Sequence, residues 1–162
     1  NTFGQLHIVR KWVPILAATT RRVINISSES VRIPWLFQPY QLSKISMEAI
    51  SRALLQELRL LGVKLIIVRP GAIQTPLLKW MEETHDLPES SLFKKEFRNF
   101  TKKAGAKVGR TSNAHSVARI IYRAAIAKRP RHYYSINNKL SLKIARALPE
   151  RLQDWVVKKL VG

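Results

Sequence analysis

Val63-Lys64-Leu65-Ile66-Ile67-Val68-Arg69-Pro70-Gly71 is the stretch on which the fold turns. A short run of branched apolar residues closed by Pro70-Gly71 reads as a strand buried on both faces. Immediately upstream, from Tyr40 to Leu61, the apolar residues Leu42, Ile45, Ala49, Ile50, Ala53, Leu54, Leu58 and Leu61 recur at steps of three and four. That spacing predicts a long helix, and Gly62 falls where a left-handed cap ends one. Further upstream, Val23-Ile24-Asn25-Ile26-Ser27 is a second β-branched run, read as a strand buried on both faces. Residues 29–39 hold Pro34 and Pro39 and are expected to form a loop. Strand, long helix and strand with short joints make a βαβ unit, which requires a parallel sheet.

Outside this unit, residues 3–18 carry apolar positions at helical spacing, with Pro14 tightening or ending the helix. Residues 76–105 mix short helical patterns with loop signals. Ser112 or Asn113 can cap a helix running to about Lys128, and residues 132–136 form a candidate last strand. Two basic amphipathic segments, 139–147 and 150–160, follow. The expected architecture is α/β, half of a doubly wound sheet.

The chain has 162 residues, 29 Lys plus Arg against 10 Asp plus Glu, and a net charge of +19. Its 46% hydrophobic and 24% charged content is that of a folded domain and excludes a disordered tail. The absence of Cys excludes disulfides, thiolate metal sites and a thiol nucleophile. His7, His85, His115 and His132 have no ligand spacing, so no metal site is expected. No apolar run reaches the ~18 residues of a membrane span. Between Phe97 and Pro149 there is no acidic residue, while Arg98, Lys102, Arg119, Arg123, Arg129 and Lys143 are among the basic ones. Such a field attracts anions, whether nucleic acid, acidic lipid or phosphorylated small molecules, or is simply a solvated surface. In the two C-terminal segments, Leu140, Ile144, Leu148, Leu152, Trp155, Val156 and Leu160 stand among Lys and Arg, as on a helix lying on an anionic membrane or packed on the domain.

Tyr40 and Lys44 stand four apart at the start of the long helix, on one face. An ammonium beside a phenol favours phenolate, the form needed in a base. Moving a tyrosine pKa from ~10 to ~7 requires about 4 kcal/mol. As a bare pattern the pair is weak. Its setting is more specific, because Ser27 and Ser28 close the first strand where a parallel sheet opens its ligand crevice.

Asn25-Ile26-Ser27-Ser28, Pro39-Tyr40-Gln41-Leu42-Ser43-Lys44 and Arg69-Pro70-Gly71-Ala72-Ile73-Gln74-Thr75, in this order, resemble the active-site half of the short-chain dehydrogenase/reductase family. The resemblance runs from residue 1 to about 78 and is closest in style to retinol and hydroxysteroid dehydrogenases. It implies a Rossmann-like fold and an NAD- or NADP-dependent oxidoreductase acting on an alcohol or carbonyl. Tyr40 would be the general acid/base, Lys44 would lower its pKa and bind the nicotinamide ribose, and Ser28 would hold the substrate oxygen. Asn1, 27 residues before Ser28, would anchor a relay water. Ser28 is preferred to Ser27 on that separation. Pro70, Gly71, Ile73 and Thr75 would face the nicotinamide. The resemblance also implies a homodimer or tetramer through helix 40–61.

The departures are as informative. Gly4, Gly62, Gly71, Gly105, Gly109 and Gly162 are the only glycines, and no arrangement of them makes the family's phosphate-binding loop. Val31 stands where the family usually has glycine. The expectation is therefore the C-terminal part of one dehydrogenase domain, the active protein being longer at its N-terminus, with residues 76–105 as a substrate-lid region and 139–162 as basic helices. Trp80, Met81, Phe93, Phe97 and Phe100 form either an apolar lid over a hydrophobic substrate, such as a steroid, retinoid or acyl chain, or core contacts. The expected compartment is the cytoplasm, with association at a membrane surface as the variant. The competing reading is a non-catalytic basic module for nucleic acid or an anionic membrane, of which nucleic acid is the less favoured.

Overall fold

The computed structural model describes residues 2–19, 21–32, 39–76, 78, 87–105, 111–137 and 147–161. Helix α1 (Phe3–Ala18) leads into strand β1 (Arg22–Ile26), and a 3-10 turn (Glu29–Arg32) precedes helix α2 (Pro39–Leu60). Strand β2 (Lys64–Pro70), helix α3 (Lys94–Gly105), helix α4 (Ala114–Ile126), strand β3 (Tyr133–Ile136) and helix α5 (Glu150–Val161) follow.

The strands make one parallel sheet in the order β1-β2-β3, with Ile24 opposite Ile66 and Val68 opposite Tyr134. Alternation along β2 divides the core. Leu65 and Ile67 pack with Val9 of α1, Leu58 of α2 and Val63, while Ile66 and Val68 pack with Val117 and Ala124 of α4 and with Ile136. Helices thus cover both faces, and the long buried run in β2 follows from that. Each fully buried Leu, Ile or Val here is worth about 1.5–3 kcal/mol of transfer free energy. Among the described residues this is a Rossmann-like three-stranded parallel sheet.

Gly62 ends α2 at φ +69°. Its N–H bonds the Arg59 carbonyl at 3.1 Å and the Val63 N–H bonds the Leu58 carbonyl at 2.9 Å. That is a Schellman closure, sealed by the buried Leu58 and Val63 side chains. Asn113 caps α4, its side chain accepting from the Ser116 N–H at 2.8 Å. The C-terminal end of α4 is held from across the sheet: the Arg22 guanidinium donates to the carbonyls of Ala124 at 3.4 Å, Ala127 at 2.6 Å and Ala125. Cationic donors suit the orphan carbonyls and negative dipole of a helix end.

Two expectations are corrected. β1 is not buried on both faces: Arg22, Val23 and Ile24 are half-buried and Ile26 is exposed. It is an edge strand, with β2 as its one partner among the described residues. Pro14 does not end α1, which runs on to Ala18. Proline removes one N–H, and the Arg10 carbonyl that loses it belongs to an exposed residue that water can serve. The segment 139–147 lies almost wholly outside the described residues, whereas 150–160 is helical as its periodicity predicts.

Candidate active site

The site is assembled at the carboxyl ends of β1 and β2, where α2 begins. The backbone N–H of Ser27 bonds the Val68 carbonyl at 2.8 Å, extending the β1–β2 ladder past the strand end. Successive side chains along extended backbone point to opposite sides, so Ser27 and Ser28 separate. Ser27 turns inward, buried, and donates to Glu48 Oε2 at 2.8 Å. Ser28 lies half-buried and hydrogen-bonds the Tyr40 phenol. Its Oγ accepts from the Ser30 N–H at 3.2 Å and from the Ser30 hydroxyl at 2.9 Å.

Helical geometry sets the rest. Tyr40, Lys44 and Glu48 lie at i, i+4 and i+8 along α2 and share one face. Lys44 Nζ lies 5.7 Å from the centre of the Tyr40 ring and donates to the Ile26 carbonyl at 2.9 Å. An ammonium has three donors, so this bond anchors the side chain without using up its hydrogen-bonding capacity. Gln41, buried, donates to the Ser30 carbonyl and ties the 3-10 turn to α2.

Burial dominates the electrostatics of the pair. Burial raises the Tyr40 pKa above 10.0, and the Ser28 hydrogen bond pulls it back only in part. Burial lowers the Lys44 pKa. Lys44 stands over the ring face with its ammonium bound to backbone, and burial is the largest influence on the phenol.

One group of residues escaped the sequence reading. Glu48 and Arg69, both buried, form an ion pair, with Arg69 Nε donating to Glu48 Oε2 at 3.0 Å and a second guanidinium N–H engaging Oε1. The Arg69 guanidinium also stacks 4.3 Å from the centre of the Tyr133 ring. Through Ser27, Arg69 and Tyr133 the pair joins the carboxyl ends of β1 and β2 to the first residue of β3. The signal was present, since Glu48 continues the Tyr40–Lys44 stripe by one more turn and Arg69 interrupts an apolar strand.

Past β2, the Ala72 carbonyl and the Gln74 N–H bond to Ser112 at 2.9 and 3.0 Å, and Thr75 Oγ1 bonds the Ile73 carbonyl at 3.4 Å. The Ile73 N–H has no partner among the described residues. Gly71 lies so close to the end of β3 that an added Cβ would stand 2.8 Å from the Asn137 carbonyl oxygen. Of the lid candidates, Phe93 is exposed, Phe97 half-buried and Phe100 buried, and α3, which carries the last two, packs mainly on α5. Asn1, Trp80 and Met81 lie outside the described residues. Among the described residues no group of His, Asp and Glu could hold a metal, and no helix is long and apolar enough to cross a membrane.

Parallel strands covered on both sides by helices define a Rossmann-like α/β protein, with hydroxyls and an ammonium gathered as a candidate site at the strands' carboxyl ends. A sequence model described as short chain dehydrogenase matches residues 1–86, and the chain belongs to that family. It is similar to estradiol 17-beta-dehydrogenase 2 of Rattus norvegicus, 27% identical with 98% of this chain and 45% of that protein covered. It is similar also to an NADPH-dependent 3-dehydrocapnine reductase of Ornithobacterium rhinotracheale, at 29% identity over 98% of this chain and 59% of the other. Retinol dehydrogenase 16 of Rattus norvegicus is 35% identical over 46% of this chain and 24% of its own. A crystal structure of a short-chain dehydrogenase from Streptomyces avermitilis superposes with a TM-score of 0.64 at 20% identity, covering 98% of this chain and 56% of that one. The chain thus spans about half the length of the relatives it matches across its whole extent.

Proposed function

We propose that this chain carries the catalytic side of an NAD- or NADP-dependent oxidoreductase that interconverts an alcohol and a carbonyl. The carrying observation is the Ser28–Tyr40 hydroxyl pair at the end of β1, with Lys44 one turn further along α2. The residues fit the nicotinamide end of a dinucleotide. Lys44 keeps donors to spare, and the Ile73 N–H, with no partner among the described residues, is suited to a carboxamide oxygen. Pro70, Gly71 and Thr75 complete that turn, and Tyr40 and Lys44 are the residues proposed to meet the ribose. The spacing of the glycines in this sequence does not match a pyrophosphate-binding loop. A bound nicotinamide would supply hydride in reduction and accept it in oxidation, while Ser28 and Tyr40 of this chain handle the substrate oxygen and its proton.

Ser28 holds the substrate oxygen through its hydroxyl, and Tyr40 exchanges a proton with that oxygen. With its pKa raised by burial, Tyr40 stands protonated near neutral pH, the form that donates in carbonyl reduction. In the oxidative direction the same group must accept a proton, so a cation nearer the phenol oxygen would help. Asn1 is proposed to anchor a relay water. The similarity to an estradiol dehydrogenase and a retinol dehydrogenase supports a hydrophobic substrate, steroid, retinoid or acyl in type, and residues 76–105, with Trp80, Met81, Phe93 and Phe97, are the proposed lid over it. Leu42 on α2, with Ile8, Trp12 and Ile15 on neighbouring α1, are exposed apolar side chains that support self-association through α2. A dimeric mass in sedimentation velocity would support that interface, and a monomer at every concentration would overturn it.

Fluorescence titration of NADH and NADPH against the chain, and against a version engineered with a Gly-rich mononucleotide-binding half at its N-terminus, tests the enzyme reading. Binding that is lost in Lys44→Ala, with turnover lost in Tyr40→Phe, is the expected result. Binding of neither coenzyme by either form would overturn it in favour of the basic-module reading. Tyr40 also makes a pH signature. A pKa raised in the folded state means stability that is full below about pH 10 and falls as the pH rises through the folded value. Urea midpoints of the wild type should therefore decline above pH 10 more steeply than those of Tyr40→Phe.

A further inference from the structure

α5 turns outward more apolar surface than its packing accounts for. Gln153 and Val157 are half-buried, and Gln153 Nε2 donates to the Leu148 carbonyl at 2.8 Å, which marks the packed side of the helix. Leu152, Trp155 and Val156 stand 47%, 57% and 36% exposed. With Lys159 they occupy positions i, i+3, i+4 and i+7, a single stripe opposite the packed side. Lys159 Nζ lies 5.0 Å from the centre of the Trp155 ring, so the ammonium is set at the border of the apolar stripe. Arg151 and Lys158 flank the stripe and are exposed, whereas the acidic Glu150 and Asp154 lie towards the other side. α3 packs against α5 and presents its own exposed basic row, Lys95, Arg98 and Lys102.

We propose that the Leu152–Trp155–Val156 stripe of α5 docks this chain onto an anionic lipid bilayer. Three features point to a bilayer. An indole beside lysine matches the boundary between acyl chains and headgroups, where an aromatic ring sits and a lysine stem reaches back to water. The basic flank and the net charge of +19 complement acidic headgroups. The stripe is convex, the outer side of a single helix, and so meets a deformable surface more readily than a rigid groove. Nucleic acid would use the cations but leaves Leu152 and Val156 without a role.

The docking inference does not depend on the dehydrogenase reading, because it needs neither Ser28 nor Tyr40. It is tested by flotation of the full chain with vesicles of phosphatidylcholine alone and of phosphatidylcholine with about one-third phosphatidylserine. Flotation with the mixed vesicles only, reduced roughly tenfold or more in L152E/W155E, is the expected result. Both positions are exposed, so the double variant should keep the wild-type circular dichroism. K158E/K159E, which keeps the apolar stripe, should lose most binding at low salt and little more at high salt. Absence of flotation with the mixed vesicles would overturn the proposal. So would equal flotation of L152E/W155E, which would leave only diffuse charge. A loss in L152E/W155E of binding to a duplex oligonucleotide as large as the loss of vesicle binding would point to nucleic acid and overturn it too.

Discussion

The ends of β1 and β2 and the α3–α5 pair both carry charge, and they use it in opposite ways. At the strand ends, Asn25, Ser27, Glu48, Ser51 and Arg69 are buried, and each is matched: Asn25 to Ser51 at 2.7 Å, Ser51 to the Met47 carbonyl at 2.8 Å, Ser27 and Arg69 to Glu48. On α3 and α5 the cations Lys95, Arg98, Lys102, Arg151 and Lys158 stand exposed. Charge that is buried and saturated fixes geometry, since each group has one satisfactory arrangement. Exposed charge fixes little within the molecule and acts on what approaches it. The lesson is that the +19 says almost nothing about how the chain folds.

Substitutions can break this contrast. Glu48→Ala would leave Arg69 buried with its main partner gone, and is expected to destabilise by about 3–5 kcal/mol in urea unfolding. A loss below about 1 kcal/mol would mean that water reaches the pair and that the strand ends are not the rigid region. Gly71→Ala tests the same end by shape. Its Cβ would meet the backbone carbonyls of Asn137 and Ile136 at 2.8 and 3.1 Å, so β3 must shift, at about 1–3 kcal/mol. Asn113→Ala removes the α4 cap and should lower stability by about 1 kcal/mol, read from the urea midpoint. The smallest effect belongs to the other region. Lys94 pairs with Glu89, which is 89% exposed, so Glu89→Gln should move the midpoint by less than about 0.5 kcal/mol and less still in high salt.

What could be read from sequence follows the range of the interactions involved. The βαβ unit, the Gly62 closure and the Asn113 cap rest on residues within a few positions of one another, and their chemistry is written locally. The preference for Ser28 over Ser27 came from the family resemblance and not from the local residues; in the structure the two side chains separate, Ser28 towards Tyr40 and Ser27 towards Glu48. The edge position of β1 was not legible, because strand order is not encoded in a strand's own residues. Nor was the Glu48–Arg69 pair, which depends on α2 crossing β2 at one particular register. The state of Tyr40 depends on burial, which a pattern of Tyr and Lys four apart does not contain.

The Arg22 clasp on the end of α4 bears on how the chain comes to be folded in time. Its guanidinium reaches the Ala124 carbonyl across 102 positions of sequence. At synthesis rates of about 5–20 residues per second, α4 leaves the ribosome roughly 5–20 s after β1 does. From the emergence of β2 until that of α4, the β1–α2–β2 unit has the face packed by α1 and α2 covered, while the Ile66–Val68 face lacks α4. Contacts of such separation form late and slowly. The Arg22 guanidinium finds these carbonyls only once α4 has packed on the sheet, so the clasp is a bond of the finished domain and not of its first-made half.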